Sequence, residues 1–353
     1  MSYENGWAAI NLEMPPKVPR CEYSAHMHWD LVNTVTGSNL LPTSTPEDQQ
    51  AGSSAFVKKW DYGFFWTCLT VAKELDACRT DMGHAEYAAG GVDLRETVSC
   101  PFSTPEEVLA FDPWAAYGER SHTELVQGYN DHYALQCKKY PNSVNVTGIY
   151  ISLMSGLIEI FGWDMMLMAM ADPEEFGEVA NRYASWIQQY FNALADCDAP
   201  CVMIHDDIVW TSGPFTSPDW YREFIFPNYK KLFAPIHESG KKLMYTSDGD
   251  YSMFIDDIAD VGITGFVMEP MTDMAYIAEK YGKTHAFIGN ADTRVLLSGT
   301  KDEIRAEVQR CVDIGRKCPG FIMAVGNHIP ANTPVENALY YNEVYEELAW
   351  RQL

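Results

Sequence analysis

The chain has 353 residues, of which 47% are hydrophobic, and this length suits a single α/β domain with a large core. Its formal charge of −24 argues against nucleic acid and anionic membrane surfaces as partners, because both attract clusters of basic residues, and it disfavours highly anionic substrates. The nine scattered cysteines form no C-x-x-C pair and the N-terminus lacks a signal-peptide pattern, so we expect a cytoplasmic protein with reduced thiols.

The first 100 residues are rich in turns and aromatic side chains, and we predict that residues 1–100 form an irregular N-terminal part packed on the main domain. A capping pattern predicts a helix over 104–112, and helical periodicity predicts a longer helix over 171–197. The apolar stretch 151–170 contains acidic residues, which excludes a membrane span there.

Short apolar runs alternate with helical patterns along the rest of the chain. The runs CVMI, KLMY, GFVM, HAFI and GFIM predict strands at 201–204, 242–246, 265–268, 284–288 and 320–324. Continuous apolar strands separated by helices indicate a buried parallel sheet. No G-x-G-x-x-G motif or P-loop favours a doubly wound sheet, so the repeated units predict a (β/α)8 TIM barrel in a single domain over 1–353.

Polar side chains follow each of these runs. They are His205, Asp206 and Asp207 after the first run, Thr246, Ser247 and Asp248 after the second, Glu269 after the third, Asn290 and Asp292 after the fourth, and Asn327 and His328 after the fifth. The C-terminal ends of all strands of a barrel converge on one mouth, where catalytic residues lie. A single acid after a strand is often only the N-cap of the next helix. Five such strand ends in succession are difficult to explain by capping, so we predict an active site at this mouth.

Asp248, Glu269 and His328 are the metal ligands and catalytic residues that we predict. Two carboxylates and one neutral imidazole leave an open position on a zinc ion, which then acts on a substrate oxygen. A purely organic site, with acids and histidine as general acid and base, remains the alternative. Asp207 is a further catalytic candidate. The candidates for binding the substrate are His205, Asp206, Trp210, Tyr245, Asn290 and Asp292, the last also as an additional ligand or a partner of one.

Five segments of the C-terminal half are the most distinctive parts of the sequence. They are IHDDIVWTSGPFTSPDWYREFIFPNYKKL, YTSDGD, GFVMEP, FIGNADTRVLLSGTKDEIRAEV and GNHIPANTPVENALYY. These segments resemble the uroporphyrinogen decarboxylase-like superfamily, which includes corrinoid-dependent methyltransferases. The last segment is the most specific, because it joins the strand-end histidine to a turn rich in Pro and Asn and to a helix start. The resemblance implies a TIM barrel, in agreement with the strand pattern.

Two branches of this superfamily do not fit the sequence. Members that decarboxylate uroporphyrinogen carry an N-terminal Met-Arg-Gln-Ala-Gly-Arg segment whose arginines hold substrate carboxylates, whereas this chain has PKVPRCEYSAHMHWDLV in that region. Members that methylate coenzyme M bind zinc through a His-x-Cys pair and a later Cys. The corresponding positions here hold Thr246, Asp248 and either Asn327 or His328. Oxygen and nitrogen ligands suit an oxygen-bearing substrate better than a thiol.

This departure resembles the corrinoid-dependent O-demethylases, whose first methyltransferase has an acid-x14-Glu-x20-His zinc pattern that Asp292, Glu307 and His328 match. Glu307 falls in the middle of the helix predicted over 300–317, and an outer barrel helix should hold it away from the mouth. We therefore expect Glu269, at a strand end, to be the carboxylate ligand instead.

The resemblance implies a zinc-assisted methyltransferase that moves a methyl group from a small methoxylated aromatic substrate to the cobalamin of a separate corrinoid protein. Methyl transfer between a corrinoid and tetrahydrofolate without a metal, and decarboxylation of a smaller substrate without a cofactor, remain alternatives. A corrinoid-protein docking module without enzymatic activity is disfavoured by the ionisable groups at the mouth. The sequence leaves open whether the chain forms a homodimer.

Overall fold

Parallel strands form the centre of the computed structural model, which describes residues 2–76, 78–81 and 98–351. The strands are β1 (Phe64–Phe65), β2 (Val144–Asn145), β3 (Thr147–Ile149), β4 (Cys201–His205), β5 (Lys242–Ser247), β6 (Gly265–Met268), β7 (Ala286–Ala291) and β8 (Phe321–Val325). Strands β3 to β8 form a six-stranded sheet in sequence order, and β1 pairs with β2. All pairs are parallel. The five apolar runs correspond to β4 through β8, so those strand predictions are confirmed.

Residues near the N-terminus close this sheet into a ring. Only Val146 separates β2 from β3 in the chain, so the two strands form one side of the ring. Arg20 makes parallel bridges with Tyr62, just before β1, and with Met323 in β8. The backbone N–H of Cys21 donates to the carbonyl oxygen of Met323 at 2.9 Å. The segment around Arg20, β1, the joined β2 and β3, and β4 to β8 make eight parallel members, the architecture of a (β/α)8 barrel.

Helices surround the ring. They are α1 (Ser2–Ile10), α2 (Trp29–Thr36), α3 (Pro46–Lys59), α4 (Pro105–Leu109), α5 (Pro113–Tyr117), α6 (His122–Lys139), α7 (Met154–Ala169), α8 (Pro173–Asp196), α9 (Pro218–Trp220), α10 (Phe226–Glu238), α11 (Ile255–Asp260), α12 (Met274–Tyr281), α13 (Thr293–Ser298), α14 (Lys301–Gly315) and α15 (Val335–Leu348). The predicted helices over 171–197 and 300–317 are α8 and α14. The helix predicted over 104–112 is shorter, because Asp112 already caps α5. Among the described residues, no helix combines the length and apolar character that crossing a membrane requires.

Apolar side chains fill the inside of the ring. This buried cluster draws members from α1 and from every side of the ring: Ala9, Ile10, Cys21, Phe64, Val144, Val146, Cys201, Met203, Met244, Val267, Ala286, Ile288, Ile322 and Ala324. A second, larger cluster contains the outward side chains of the strands and the apolar faces of the helices. The expectation that residues 1–100 only pack on the barrel therefore needs correction. Cys21 and Phe64 belong to its wall, in segments too short to give a periodic sequence signal.

Candidate active site at the barrel mouth

A cavity of about 220 Å³ opens at the C-terminal ends of the strands. Its lining residues are Tyr23, Trp66, Tyr150, His205, Asp207, Thr246, Ser247, Asp248, Val267, Met268, Gly326, Asn327 and His328. The C-terminal face is where TIM-barrel active sites lie. The predicted location therefore coincides with a cavity that the fold builds from both halves of the chain.

The alternation of side chains along a strand decides which strand-end residues reach this cavity. Met203 in β4 faces the inside of the ring, and His205, two residues later, faces the same way. In β5, Met244 faces inside, and Thr246 and Asp248 follow it at intervals of two. The same side of each strand is therefore apolar within the barrel and polar at its mouth.

His205, Asp207 and Asp248 form a compact cluster in the cavity wall. The Oδ1 atom of Asp207 lies 2.8 Å from Nε2 of His205 and accepts a hydrogen bond from the backbone N–H of Asp248 at 2.9 Å. One ligand atom from each of the three side chains lies within 4.8 Å of the other two, and within the described part of the chain no other group of His, Cys, Asp or Glu meets this spacing. The Nδ1 atom of His205 has no hydrogen-bond partner among the described residues.

Burial and mutual repulsion shift the protonation of these groups. Burial raises the pKa of Asp248 to about 8, and the neighbouring Asp207 carboxylate adds to the increase. Burial alone would lower the pKa of His205, but the charges of Asp207 and Asp248 outweigh it and raise that pKa. Burial lowers the pKa of His328 to about 4. Two partly buried carboxylates and an imidazole whose pKa they raise thus share one wall of the cavity.

Three aromatic residues that the sequence analysis did not single out complete the cavity wall. The ring of Tyr150 stacks on His205 with centroids 3.9 Å apart. Trp66 meets His205 edge-on at 5.7 Å, and its Nε1 donates to Oγ1 of Thr246 at 3.3 Å. Tyr23 lies 6.0 Å from Trp66. Each of the three aromatic residues continues the inward-facing side of a short wall segment. Strand alternation would predict their position only if those segments were first recognised as strands.

Asp206 and Tyr245 face away from the cavity, as strand alternation requires. The fully buried Asp206 accepts hydrogen bonds from the backbone N–H groups of residues 153–155, at distances from 2.6 to 3.2 Å, and from the Tyr229 hydroxyl. The hydroxyl of Tyr245 donates to the carbonyl oxygen of Asp206 at 3.2 Å. Trp210 is 43% exposed and is not a lining residue. The structure therefore does not place these three predicted substrate-binding residues in the cavity.

Glu269 lies beside the cavity rather than in its lining. One carboxylate oxygen accepts from the backbone N–H of Gly249 at 2.7 Å, and the other accepts from the side-chain amide of Asn327. Glu269 lines a neighbouring groove of about 310 Å³, which shares Asn327 and His328 with the cavity. Of the predicted metal ligands, only Asp248 belongs to the compact cluster. Glu269 and His328 instead contribute to the wall between the cavity and this groove.

Asn290, Asp292 and Glu307 lie in a separate group that two arginines satisfy. Arg294 pairs with Asp292 at 2.7 Å, and Arg310 pairs with Glu307 at 2.7 Å and donates to the side-chain oxygen of Asn290 at 3.0 Å. Burial would raise the pKa of Asp292, but Arg294 and Arg310 lower it. Glu307 accepts from the backbone N–H of Asp292 at 2.9 Å, and it is not among the described lining residues of the cavity or of the neighbouring groove.

Comparison with known proteins identifies the family. The model of the uroporphyrinogen decarboxylase (URO-D) family matches residues 137–348, which is more than half of the chain. The chain belongs to the URO-D family. The uroporphyrinogen decarboxylase of Carboxydothermus hydrogenoformans is 30% identical over 179 residues, which cover 50% of this chain and 49% of that protein. That of Thermus thermophilus is 28% identical over 161 residues, covering 46% and 45%. The chain thus spans about half the length of the curated relatives it matches.

A solved structure resembles this URO-D family member over nearly its whole length. A methyltransferase from Methanosarcina mazei covers 98% of each chain with a TM-score of 0.63 and 17% sequence identity. At this level of identity the comparison establishes a shared fold. It extends across the N-terminal part that the family model leaves unmatched.

Uroporphyrinogen decarboxylases are expected to carry carboxylate-binding arginines in their N-terminal region. In the corresponding segment of this URO-D family member, the arginine is Arg20. Its guanidinium is buried in the barrel wall, 4.5 Å from the ring centroid of Trp60 and 4.3 Å from that of Tyr345. It donates to Glu22 at 3.1 Å. Among the described lining residues of the cavity, none is Lys or Arg. Arg20 therefore stabilises the wall and does not serve the cavity.

Proposed function

We propose that this URO-D family member is a methyltransferase that moves the methyl group of an aryl methyl ether to the cob(I)alamin of a separate corrinoid protein. The observation that carries the proposal is the cluster of His205, Asp207 and Asp248, whose ligand atoms lie within 4.8 Å of one another at the barrel mouth. We propose these three residues as metal ligands. Asp248 is retained from the set predicted from sequence, while Glu269 and His328 are left to shape the wall.

The three side chains fit a zinc ion. Zinc accepts imidazole nitrogen and carboxylate oxygen, and three protein ligands leave one position for a substrate. The Asp207 and Asp248 carboxylates are crowded together, so a divalent cation would relieve their mutual repulsion. No cysteine is among the described lining residues, which favours an oxygen-bearing substrate over a thiol. Bound zinc would supply a Lewis acid for the oxygen of the bond that breaks.

The proposed reaction breaks the carbon–oxygen bond of the methyl ether. The electron pair of that bond stays on the oxygen, which leaves as a phenolate, while the acceptor cob(I)alamin brings the pair for the new bond to the methyl carbon. A phenolate leaves slowly from a methyl group, so stabilising its negative charge is the largest contribution the site has to make. Holding the ether in line with the acceptor is the second contribution that the site has to make.

Residues of the chain fix the geometry for this step. The Ser155 hydroxyl oxygen accepts a hydrogen bond from the backbone N–H of Asp207 at 2.8 Å, and Asp207 in turn orients His205. Tyr150 covers one face of the imidazole. Trp66 supplies a flat apolar surface against which a substrate ring can pack. The open side of the mouth is left for the corrinoid protein.

Decarboxylation of uroporphyrinogen is the second candidate, because the curated relatives carry that name. The substrate of that reaction has many carboxylates, which need arginine or lysine partners when they are buried. The described lining instead presents Asp207 and Asp248, and Arg20 is committed to the barrel wall. Incubation of the protein with uroporphyrinogen should give no decarboxylated product. Turnover of uroporphyrinogen would replace the methyltransferase proposal.

The methyltransferase proposal is tested with zinc-loaded protein, cob(I)alamin and a panel of methoxylated phenols. We expect formation of methylcobalamin together with one equivalent of the corresponding phenol from at least one member of the panel. The matched control uses the same phenols without the methoxy group. Absence of methylcobalamin with every methoxylated phenol, in protein shown to contain zinc, would contradict the proposal.

A further inference from the structure

A pocket of about 300 Å³, here called the lysine pocket, lies between helices α3 and α6, away from the barrel mouth. Helix α3 ends shortly before β1, and helix α6 ends shortly before β2. Both helices therefore end at the face of the barrel where the strands begin, opposite to the mouth. The lining residues of the lysine pocket are Ser54, Ala55, Val57, Lys58, Lys138, Lys139, Tyr140, Pro141 and Asn142.

The charge of the lysine pocket is opposite to that of the chain as a whole. Lys58, Lys138 and Lys139 line it, and neither Asp nor Glu is among its described lining residues. The chain has 49 acidic and only 25 basic residues, so a group of three lysines without a lining acid departs from the overall balance. The lysine pocket should therefore attract anions, although the net charge of the chain repels them.

The described part of the chain does not neutralise these three lysines. A lysine elsewhere, Lys230, lies 2.6 Å from its partner Asp260. The ammonium groups of Lys58, Lys138 and Lys139 form no hydrogen bond or ion pair with any described residue. All three lie in the last turns of their helices, where a positive charge stabilises the helix dipole. That interaction leaves their N–H donors available to a ligand.

Packed side chains fix the floor of the lysine pocket. The buried ring of Tyr140 stacks on Phe65 of β1 with centroids 3.8 Å apart. The Tyr140 hydroxyl oxygen accepts from Nε2 of Gln50 at 3.3 Å, and the Ser54 hydroxyl oxygen accepts from the same Nε2 at 3.1 Å. The O–H of Ser54 can then donate to a ligand. A floor that is already ordered lowers the entropy cost of binding.

We propose that the lysine pocket binds a small phosphate-bearing anion. Lysine binds phosphate as a point charge, and a multiply charged phosphate gains more from three lysines than a single carboxylate does. Ser54 and Asn142 supply uncharged donors beside the three ammonium groups. The volume lies at the lower end of the range of about 300–1,000 Å³ that is typical of small-molecule sites. Because the lysine pocket is separate from the cavity, this inference does not depend on the proposed methyltransferase activity.

Isothermal titration calorimetry with inorganic pyrophosphate tests the inference, in about 0.15 M salt so that distant charges are screened. The triple variant Lys58→Gln, Lys138→Gln, Lys139→Gln should raise the dissociation constant at least about tenfold. The matched control removes the same charge from three lysines that do not line the pocket, and it should change the dissociation constant by less than about twofold. This control carries Lys230→Gln, Lys280→Gln and Lys301→Gln. Failure of the wild type to bind pyrophosphate, or a loss in the pocket variant no greater than in the control, would overturn the inference.

A variant that keeps the charge separates loss of binding from loss of folding. Lys58→Arg, Lys138→Arg, Lys139→Arg retains three cations, so it should bind pyrophosphate within about threefold of the wild type. Acetate carries one charge and should bind to the wild type at least about tenfold more weakly than pyrophosphate. Loss of pyrophosphate binding in the arginine variant with an unchanged circular dichroism spectrum, or equal binding of acetate and pyrophosphate, would overturn the inference.

Discussion

Two strand-end regions of the barrel carry similar acidic sequences and have different environments. After β4 and β5, Asp207 and Asp248 lie in the cavity with His205, and the described lining there contains no arginine. After β7, Asp292 is paired with Arg294 and contacts Glu307. The acids of one region are thus paired with arginines, whereas an acid of the other region is paired with a histidine that lines the cavity.

The pKa values of the two regions express the same difference. Burial and Asp207 raise the pKa of Asp248 to about 8, whereas Arg294 and Arg310 lower the pKa of Asp292 against the effect of burial. A carboxylate in a cavity whose pKa is raised by burial and by a like charge is a candidate functional group, and one whose pKa is lowered by arginine partners is a candidate structural group. The counter-ion, rather than the acid itself, separates the two.

The largest expected effect follows from replacing Asp207 in the cavity, and replacing Glu307 in the arginine-paired region provides the matched control. Asp207→Asn should lower kcat/KM for methyl transfer by at least about a hundredfold, because it removes a proposed ligand and the partner of His205. Glu307→Gln keeps an acceptor for the backbone N–H of Asp292 and loses only the ion pair with Arg310, so activity should change by less than about threefold. Steady-state kinetics with a methoxyphenol measure both. A greater loss in Glu307→Gln than in Asp207→Asn would reverse the comparison.

The buried carboxylate of Asp206 is a third case, because hydrogen bonds rather than an ion pair stabilise it. Asp206→Ala should lower the free energy of unfolding by about 3–5 kcal/mol, because the backbone N–H groups of residues 153–155 lose their buried acceptor. Tyr229→Phe removes one donor to the same carboxylate and should cost about 1–2 kcal/mol. Urea denaturation followed by circular dichroism measures both values. A loss below about 1 kcal/mol in Asp206→Ala would contradict a structural role for this residue.

The stability of the metal-free protein should depend on pH through Asp248. The pKa of this carboxyl is 3.8 when unperturbed and about 8 in the folded protein, so between these values the folded state keeps a proton that the unfolded chain releases. The contribution to stability is complete below the lower pKa and is lost as pH rises toward the higher one.

Melting temperatures of metal-free protein between about pH 5 and 8 test this dependence. The decrease with rising pH should be shallower in Asp248→Asn than in the wild type. Asp292→Asn should keep the wild-type slope in this range, because the lowered pKa of Asp292 moves its titration to more acidic pH. Identical slopes in wild type and Asp248→Asn would contradict the assigned protonation.

The smallest effect is expected from the aromatic wall. Trp66→Phe keeps an aromatic face but loses the hydrogen bond from Nε1 to Thr246, so we expect KM for a methoxyphenol to rise by about threefold. Zinc content should not change, because Trp66 supplies no metal ligand. Zinc loss from Trp66→Phe would indicate that the wall supports the metal site rather than the substrate.

The fold of the C-terminal half could be predicted because its strands are continuous apolar runs of several residues between clear helices. β4 to β8 and helices α8 and α14 follow from these patterns. The wall segments around Arg20 and Phe64 could not be predicted in the same way. They are short, and their register depends on bridges to Tyr62, β2 and Met323, which are distant in sequence.

The location of the site could be predicted from the sequence, but only some of the residues that form it could. The strand ends identify the mouth, and alternation would have separated the inward His205 from the outward Asp206 and Tyr245. Whether Glu269 or His205 joins Asp248 depends on side-chain contacts across the barrel, such as those of Glu269 with Gly249 and Asn327. Local sequence carries no information on such contacts.

Zinc content in matched variants tests the central claim most directly. After zinc loading and dialysis against a weak chelator, elemental analysis should find one zinc per chain in wild type and in Asp292→Asn, and almost none in Asp248→Asn. Circular dichroism spectra establish that the three proteins share one fold. Retention of zinc in Asp248→Asn together with its loss in Asp292→Asn would place the metal in the arginine-paired region and contradict the site formed by His205, Asp207 and Asp248.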